Sequence, residues 1–366
     1  MYSIAINNET KRVAKFCNYN LQCVLGKNIS PKAEGTVFKQ NKNISSGYFN
    51  CVSMSGNGKY QTTVQRTQDD NNACNMSKIF ISNDYGNNWL NVSNRNELIQ
   101  NWTGVGVSDN GQYQIACFQP GFVYMSNNYG FNWMKTTAPE ASWYGVSISG
   151  NGQYQLAVSN EYKSDANSNV YLSTDFGIKW ESKLNSKLWL NCAISYNGNV
   201  MSAIAFSDAN EVDENGILPV GSIYISNNFG INWRTEPIIK DYFTNVCMSN
   251  NGKYILVSAN DCNYGPSLPR PLYLSSDYGN TWNTINLYDS WISVAMSYDG
   301  KYQTATSYYQ GTESPETGFI YESNDYGKTW KKNTTVNQDE WTSISMSANG
   351  QIRTLVSSMC GNLYNA

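Results

Sequence analysis

The 366-residue chain contains no histidine. That absence removes Ser-His-Asp and Cys-His nucleophilic schemes and histidine-based zinc sites from consideration. Charge is sparse as well. Only 14% of residues are charged, and 25 Lys plus Arg against 28 Asp plus Glu leave a net charge of −3. Nucleic-acid and membrane-surface binders carry clustered basic charge, so neither partner is expected. No run of roughly 18 apolar residues occurs, so no membrane insertion is expected. The opening MYSIAINNETKRVAKF lacks a basic start followed by an apolar block and does not read as a secretion signal. None of the nine cysteines forms a C-x-x-C pair, and Cys51, Cys117, Cys192 and Cys247 fall in apolar strand patterns, where a thiol behaves as a small hydrophobe. A reducing, intracellular setting follows as the expectation. No loop has the D-x-D-x-D-G spacing of a calcium site, and neither a metal nor a cofactor is expected.

What the chain has instead is aromatics (14%, with 27 Tyr and 11 Trp), 28 Gly and abundant Asn, Ser and Thr, a mixture that favours strands and tight turns. Two motifs alternate along it. The first is SNDYGNNW (82–89), repeated without gaps at 126–133, 173–180, 226–233, 275–282 and 323–330, with a degraded copy, PKAEGTVF, at 31–38. The second is an Asn-Gly or Asp-Gly pair between alternating apolar runs, with glycines at 58, 111, 152, 198, 252, 300 and 350. Such a pair is a strong short-range signal for a β-hairpin. Each period therefore reads as four antiparallel strands, A to D, with the second motif between A and B and the first between C and D. Seven periods of this kind predict an all-β, seven-bladed β-propeller over residues 31–366. The chain stops where strand C of the last blade would begin, at GNLYNA, and the degraded first motif supplies a strand D. The ring is thus expected to close by an N-terminal strand pairing with the C-terminal one. Residues 1–30 fall outside the repeat as an N-terminal extension.

The acid position of the first motif holds Asp84, Asp175, Asp277 and Asp325, but Asn128 and Asn228 in two copies and Ala33 in the degraded one. Asn keeps a side-chain oxygen for backbone N–H groups yet carries no charge, so this position is read as a turn device rather than a catalytic acid or metal ligand. Gly86 and its equivalents suit a positive φ. Trp89, Trp133, Trp180, Trp233, Trp282 and Trp330 are expected to lie over their hairpins. The pattern S-x-D/N-x-G-x-x-W resembles the Asp-box, or bacterial neuraminidase repeat, of sialidases, some glucan-cleaving hydrolases, sortilin-type receptors and photosystem assembly factors. The resemblance implies a structural hairpin on the face away from any active site, and functions that differ widely between members. The wording of the repeats, rich in Asn, Tyr and Lys, also resembles propeller proteins of large amoeba-infecting DNA viruses, which implies a viral or virion-associated protein.

In a propeller the A–B and C–D turns share one face (the turn face) and the B–C and D–A connections the other (the loop face). Here the loop face is the irregular one, and function is usually grafted on such loops. Its B–C loops hold Asp69, Asp70, Glu161, Asp165, Asp208, Glu211, Asp213, Glu214, Asp261, Glu313 and Glu316 against Arg66, Lys78, Lys163 and Arg270. Carboxylates paired across a groove would suit glycoside hydrolysis, with Asp213 or Glu214 facing Glu313 or Asp69 as candidates. A sialidase needs three arginines on the sugar carboxylate. Of Arg12, Arg66, Arg95, Arg234, Arg270 and Arg353, Arg234 sits in a strand D and Arg353 in a strand B, so convergence is not expected. The remaining tryptophans, Trp102, Trp143, Trp189, Trp291 and Trp341, all open strand A, with Phe49 and Phe243 in the other two blades. They form either a sugar-stacking ring on the loop face or packing between blades. The leading reading is a non-catalytic scaffold whose loop face binds a protein or glycan; the alternative is a glycoside hydrolase using the B–C acids.

Overall fold

The computed structural model describes residues 26–27, 36–44, 47–66, 77–93, 100–161, 168–185, 187–207, 220–235, 239–260, 269–307, 318–336, 339–357 and 362–366. They form a seven-bladed β-propeller of antiparallel four-stranded blades. Strand A of the blades, in chain order, is Tyr48–Met54, Trp102–Val107, Trp143–Ile148, Leu188–Ile194, Phe243–Met248, Trp291–Met296 and Trp341–Met346. Blade 3 shows the common pattern, with strand A followed by B (Gln155–Ser159), C (Asn169–Ser173) and D (Glu181–Asn185). Between A and B the turn glycine takes a left-handed conformation, φ +85° at Gly152, which only glycine adopts without strain.

The ladder between A and B carries a bulge at the same place in all seven blades, directly after the opening aromatic, as between Trp143 and Gly145. A bulge leaves one residue out of register and re-aims its side chain. Here that residue reaches the next blade: Thr103 donates to the Trp143 carbonyl at 2.8 Å, Thr244 to that of Trp291 at 3.1 Å, and the Asn50 amide to that of Trp102.

The core lies between blades. Trp102 packs against Val64, Ile79 and Ile81 of blade 1, Trp189 against Leu156, Val158 and Val170 of blade 3, and Phe49 against Val356 and Leu363 of blade 7. Each opening aromatic also meets a ring on strand C of its own blade, 5.4 Å centre to centre for Trp143 and Tyr171 and 5.5 Å for Trp341 and Tyr364. Edge-on contacts of this kind suit the quadrupoles of both rings.

Closure is twofold. Lys39–Asn41 pairs antiparallel with Leu363–Asn365, completing blade 7 as its strand D, and Phe38 is buried beside Trp341 and Ala366. The closing sheet reaches further back than the repeat, because Gly26–Lys27 bridges to Tyr364 and Asn365. The second device is a circle of backbone hydrogen bonds joining the A–B turns. Gly56 N–H donates to Asp109, Asp109 to Gly150, Gly150 to Tyr196, Tyr196 to Asn250, Asn250 to Tyr298, Tyr298 to Ala348 and Ala348 back to Gly56, at 2.7–2.9 Å.

One polar contact marks the seam. Where blades 1, 2, 3 and 6 start strand B with a Gln whose amide donates to its own turn glycine carbonyl, blade 7 has Arg353, 3% exposed. Its guanidinium donates to Gly350 O and to the Thr36 hydroxyl, and it pairs with Glu322 of blade 6. Asn333 and Thr335 donate to the Thr36 carbonyl at 2.8 and 2.6 Å, so the N-terminal segment is held by both neighbouring blades.

Candidate binding site at the loop face and axial channel

The six intact motifs are built alike. Ser82 Oγ donates to Asp84 Oδ1 at 2.8 Å and accepts Gly86 N–H at 3.0 Å, Asp84 Oδ1 accepts Asn88 N–H at 2.9 Å, and Trp89 Nε1 donates to Gly86 O at 3.0 Å. Around Asn128 the same four bonds measure 3.0, 3.0, 2.9 and 2.9 Å. One side-chain oxygen therefore does the work in both, and charge is not needed for it. Where the partner allows, the second carboxylate oxygen adds a bond, from Asn88 at 2.7 Å, Thr281 at 2.7 Å and Thr329 at 2.5 Å. Burial opposes ionisation of Asp84, Asp277 and Asp325, but these donors outweigh it and hold the three carboxyls below the usual Asp range. Asp175 and Asn228 make the same Oδ1 contacts. Trp180, Trp233 and Trp330 also donate to their box glycines, whereas Trp282 Nε1 has no partner among the described residues.

A feature of these turns escapes the sequence reading. The aromatic before each box glycine, Tyr85, Tyr129, Phe176, Phe229, Tyr278 or Tyr326, stands at φ +60° to +64°, a conformation unusual for a bulky residue. Four of them lie against the Tyr that follows the A–B glycine in the preceding blade, as Tyr129 does on Tyr60 at 4.7 Å. In these four blades the interblade ring contact offsets part of the backbone cost.

The loop face differs from expectation in its aromatics. Trp102, Trp143, Trp189, Trp291 and Trp341 are 0–1% exposed. They are interblade packing and present no ring to a sugar, which corrects the reading of them as a binding face. The weak catalytic candidates Asp69, Asp213, Glu214 and Glu313 lie outside the described residues. Of the other B–C acids, Glu161 is described, and its carboxylate accepts Ser142 N–H at 2.6 Å, a loop tie. The three arginines with described side chains are dispersed: Arg353 is buried at the seam, Arg234 reaches Tyr278 and Asn280 on the turn face, and Arg270 lies 3.5 Å from Asp241.

Three loop-face acids were missed: Asp241, Asp289 and Asp339. Each stands two residues before the opening aromatic of blades 5, 6 and 7, in DYF, DSW and DEW, a signal visible in the sequence. Each accepts the N–H of the following residue at 2.8–2.9 Å. Asp241 also accepts the Tyr273 hydroxyl at 2.8 Å. Burial pushes the Asp289 and Asp339 carboxyls up, and burial with Asp289 beside it pushes Tyr321 up to about 12. No nucleophile and base face each other among them, and the described residues contain no cluster of three or more metal-ligating acids or cysteines.

Inside the ring runs the axial channel. Its loop-face half is a cavity of about 260 Å3 bounded by all seven A strands, with Asn50, Asn191, Asn245, Ser293 and Ser343 among its polar groups and Cys51, Cys192 and Cys247 among its thiols. Burial pushes all three thiols up, so they stand protonated. The turn-face half holds a second cavity of about 240 Å3, and at its end Tyr298 crosses from blade 6 to donate to Asp109 of blade 2 at 2.5 Å. The hydroxyl bond and the backbone circle tie the blades together at that end.

A family model for the BNR-Asp box repeat matches residues 320–333. No curated protein matches the chain. Solved structures are similar in fold. YCF48 bound to D1 peptide shares 12% identity over 92% of this chain and 97% of that one, with a TM-score of 0.60. The Cps50 (Swd1) β-propeller domain of Myceliophteria thermophila shares 13% over 90% and 98%, with a TM-score of 0.61. The GH74 enzyme of Niastella koreensis shares 12% over 94% and 73%, with a TM-score of 0.51. Identities this low speak for architecture alone. The chain is a seven-bladed β-propeller with six intact S-x-D/N-x-G-x-x-W turns on its turn face, one of which the BNR-Asp box repeat model matches.

Proposed function

We propose that the protein is a non-catalytic scaffold that holds a protein partner on its loop face. The observation that carries this reading is the unequal treatment of the two faces. On the turn face the backbone circle and the Tyr298 bond to Asp109 tie the A–B turns to one another. On the loop face the Asp289 and Asp339 carboxyls are pushed up by burial, a cost to stability of the kind kept at working surfaces. A propeller of similar fold is known bound to a peptide, which supports the class of partner. A glycan is less well supported, since the tryptophans that would stack on a sugar are buried. The four described thiols are free, in keeping with a reducing intracellular or virion-associated setting as part of the proposal.

The test is affinity capture with the intact chain, followed by binding measurements on charge reversals of each face. Changing Glu140 or Lys240 on the loop-face side is expected to weaken partner binding at least tenfold, and changing Lys59 or Lys253 on the turn face to leave it unaltered. The opposite pattern would overturn the proposal. So would turnover of an oligosaccharide that is lost on Asp213→Asn and Glu214→Gln.

A further inference from the structure

Strand D forms the outer edge of each blade, and in six blades it is short or charged. It has two residues in blades 1, 2, 4 and 6 and three in blade 7, and the five of blade 3 carry Glu181 and Lys183. Blade 5 departs from this. Its strand D, Asn283–Asp289, runs for seven residues and bears no charge before Asp289. Open strand edges invite pairing with other chains, and shortness and charge are the usual protections. In blades 1, 2 and 6 the residue three places after the box Trp gives its N–H to strand C, as Asn333 does to Ile320 at 2.8 Å. Ile285 is that residue in blade 5, opposite Leu272. The N–H and C=O of Thr284 therefore point outward, and those of Asn286 do too, since exposure keeps alternating through Tyr288. No described strand pairs with this edge.

Beside it lies a groove of about 810 Å3, lined by five consecutive residues of the strand, 283 to 287. Successive side chains point to opposite faces, so a groove against one face would meet only alternate residues; this one follows the edge. Across it stand Tyr326, Lys328 and Trp330 of blade 6, and Lys328 is the one charged side chain among the described residues that line it. We infer that this edge binds an extended, acidic segment of a partner protein as a fifth strand of blade 5. Main-chain bonds to Thr284 and Asn286 would hold the segment, and alternate side chains would enter the groove, the apolar ones toward Trp330 and a carboxylate toward Lys328. Lys328 lies in a C–D turn, at the Asn283 end of the groove, so an antiparallel segment brings its C-terminal half to it. A second copy of this chain fits less well. The acid it would bring to Lys328 is Asp289, which is committed to Ser290 N–H at 2.8 Å. The site is on the rim of blade 5, so its failure would leave the loop-face reading untouched.

The experiment measures fluorescence anisotropy of labelled, end-blocked peptides titrated with the full chain. TVTVTET is expected to bind with a dissociation constant on the order of 100 μM. TVTVTKT, and TVTVTET with its threonines N-methylated or with its Val and Glu residues N-methylated, are compared with it. The Lys peptide and one of the two methylated forms are expected to bind at least tenfold more weakly. Thr284→Pro removes an outward N–H and keeps the bonds to strand C, and is expected to lose TVTVTET at least tenfold. Lys328→Glu is expected to reverse the preference between the Glu and Lys peptides. Equal binding of those two peptides by the wild type would overturn the inference whether or not either variant folds. So would undiminished binding of both methylated forms, or a dimer in sedimentation that Thr284→Pro abolishes while no peptide binds, which would assign the edge to a second copy.

Discussion

At the residue scale the Asp-box acids separate two functions that a carboxylate usually combines. Asp84 and Asn128 place the same oxygen on the same backbone N–H. Replacing Asp84, Asp277 and Asp325 together by Asn is therefore expected to leave thermal stability at pH 7 within about 1 kcal/mol, while Ala at any one of them costs about 1 kcal/mol through the lost turn bonds. Their folded pKa values are depressed. The stabilisation is full above the unfolded Asp value of about 3.9 and is lost as pH falls through the folded values. The triple Asn variant should accordingly lose less stability than the wild type on going from pH 5 to pH 3, as read by melting temperature. Asp339 has the reverse sign. Its carboxyl is pushed up by burial, so stability falls as pH rises through the folded value. Asp339→Asn keeps the acceptor for Glu340 N–H and is expected to raise the melting temperature at pH 7 and to leave it unchanged at pH values below both pKa values.

At the element scale the blade is a hairpin device copied seven times, and most of it was legible. Asn-Gly and Asp-Gly gave the A–B turns, and the Trp-opened apolar runs gave strand A. The ambiguity over those tryptophans could not be resolved from spacing, because stacking on a sugar and packing between blades both demand one aromatic per blade. What decides is the bulge after each ring, which leaves no periodicity in the sequence. The positive-φ aromatics were illegible for a similar reason: nothing in Tyr129 announces a left-handed backbone, and the Tyr60 ring it lies against is in another blade. A direct test of the turn circle is Ala348→Pro, which removes one N–H from it. The expected cost is about 1–3 kcal/mol, measured by denaturant unfolding, with Ala348→Ser near neutral as the control.

At the scale of the whole molecule the seam is where the repeat was altered. Blades 1, 2, 3 and 6 use a Gln at the position of Arg353, so Arg353→Gln is tolerable for the hairpin itself. It strands Glu322, however, with the charge half-enclosed between blade 6 and Thr36. The single change is expected to destabilise by about 3–5 kcal/mol and to raise hydrogen exchange at Lys39–Asn41 before other strands. Adding Glu322→Gln should restore most of the loss. If the double variant is as unstable as the single, the pair has no role in holding the N-terminal segment. Closure by the two tails was readable because GNLYNA matches the start of strand C; the ion pair was not, because between its members lie the C–D turn and strand D of blade 6 and then strand A and the A–B turn of blade 7.

The head-to-tail circle of A–B turns carries one more implication. Every member gives one proton and takes one, with no first or last, so the number of repeats is checked by geometry and not only by gene length. A chain shortened or lengthened by one repeat would have to change the angle at each step, or leave a donor and an acceptor facing solvent at a gap. Unequal recombination between such similar repeats would thus be screened at the level of the folded ring.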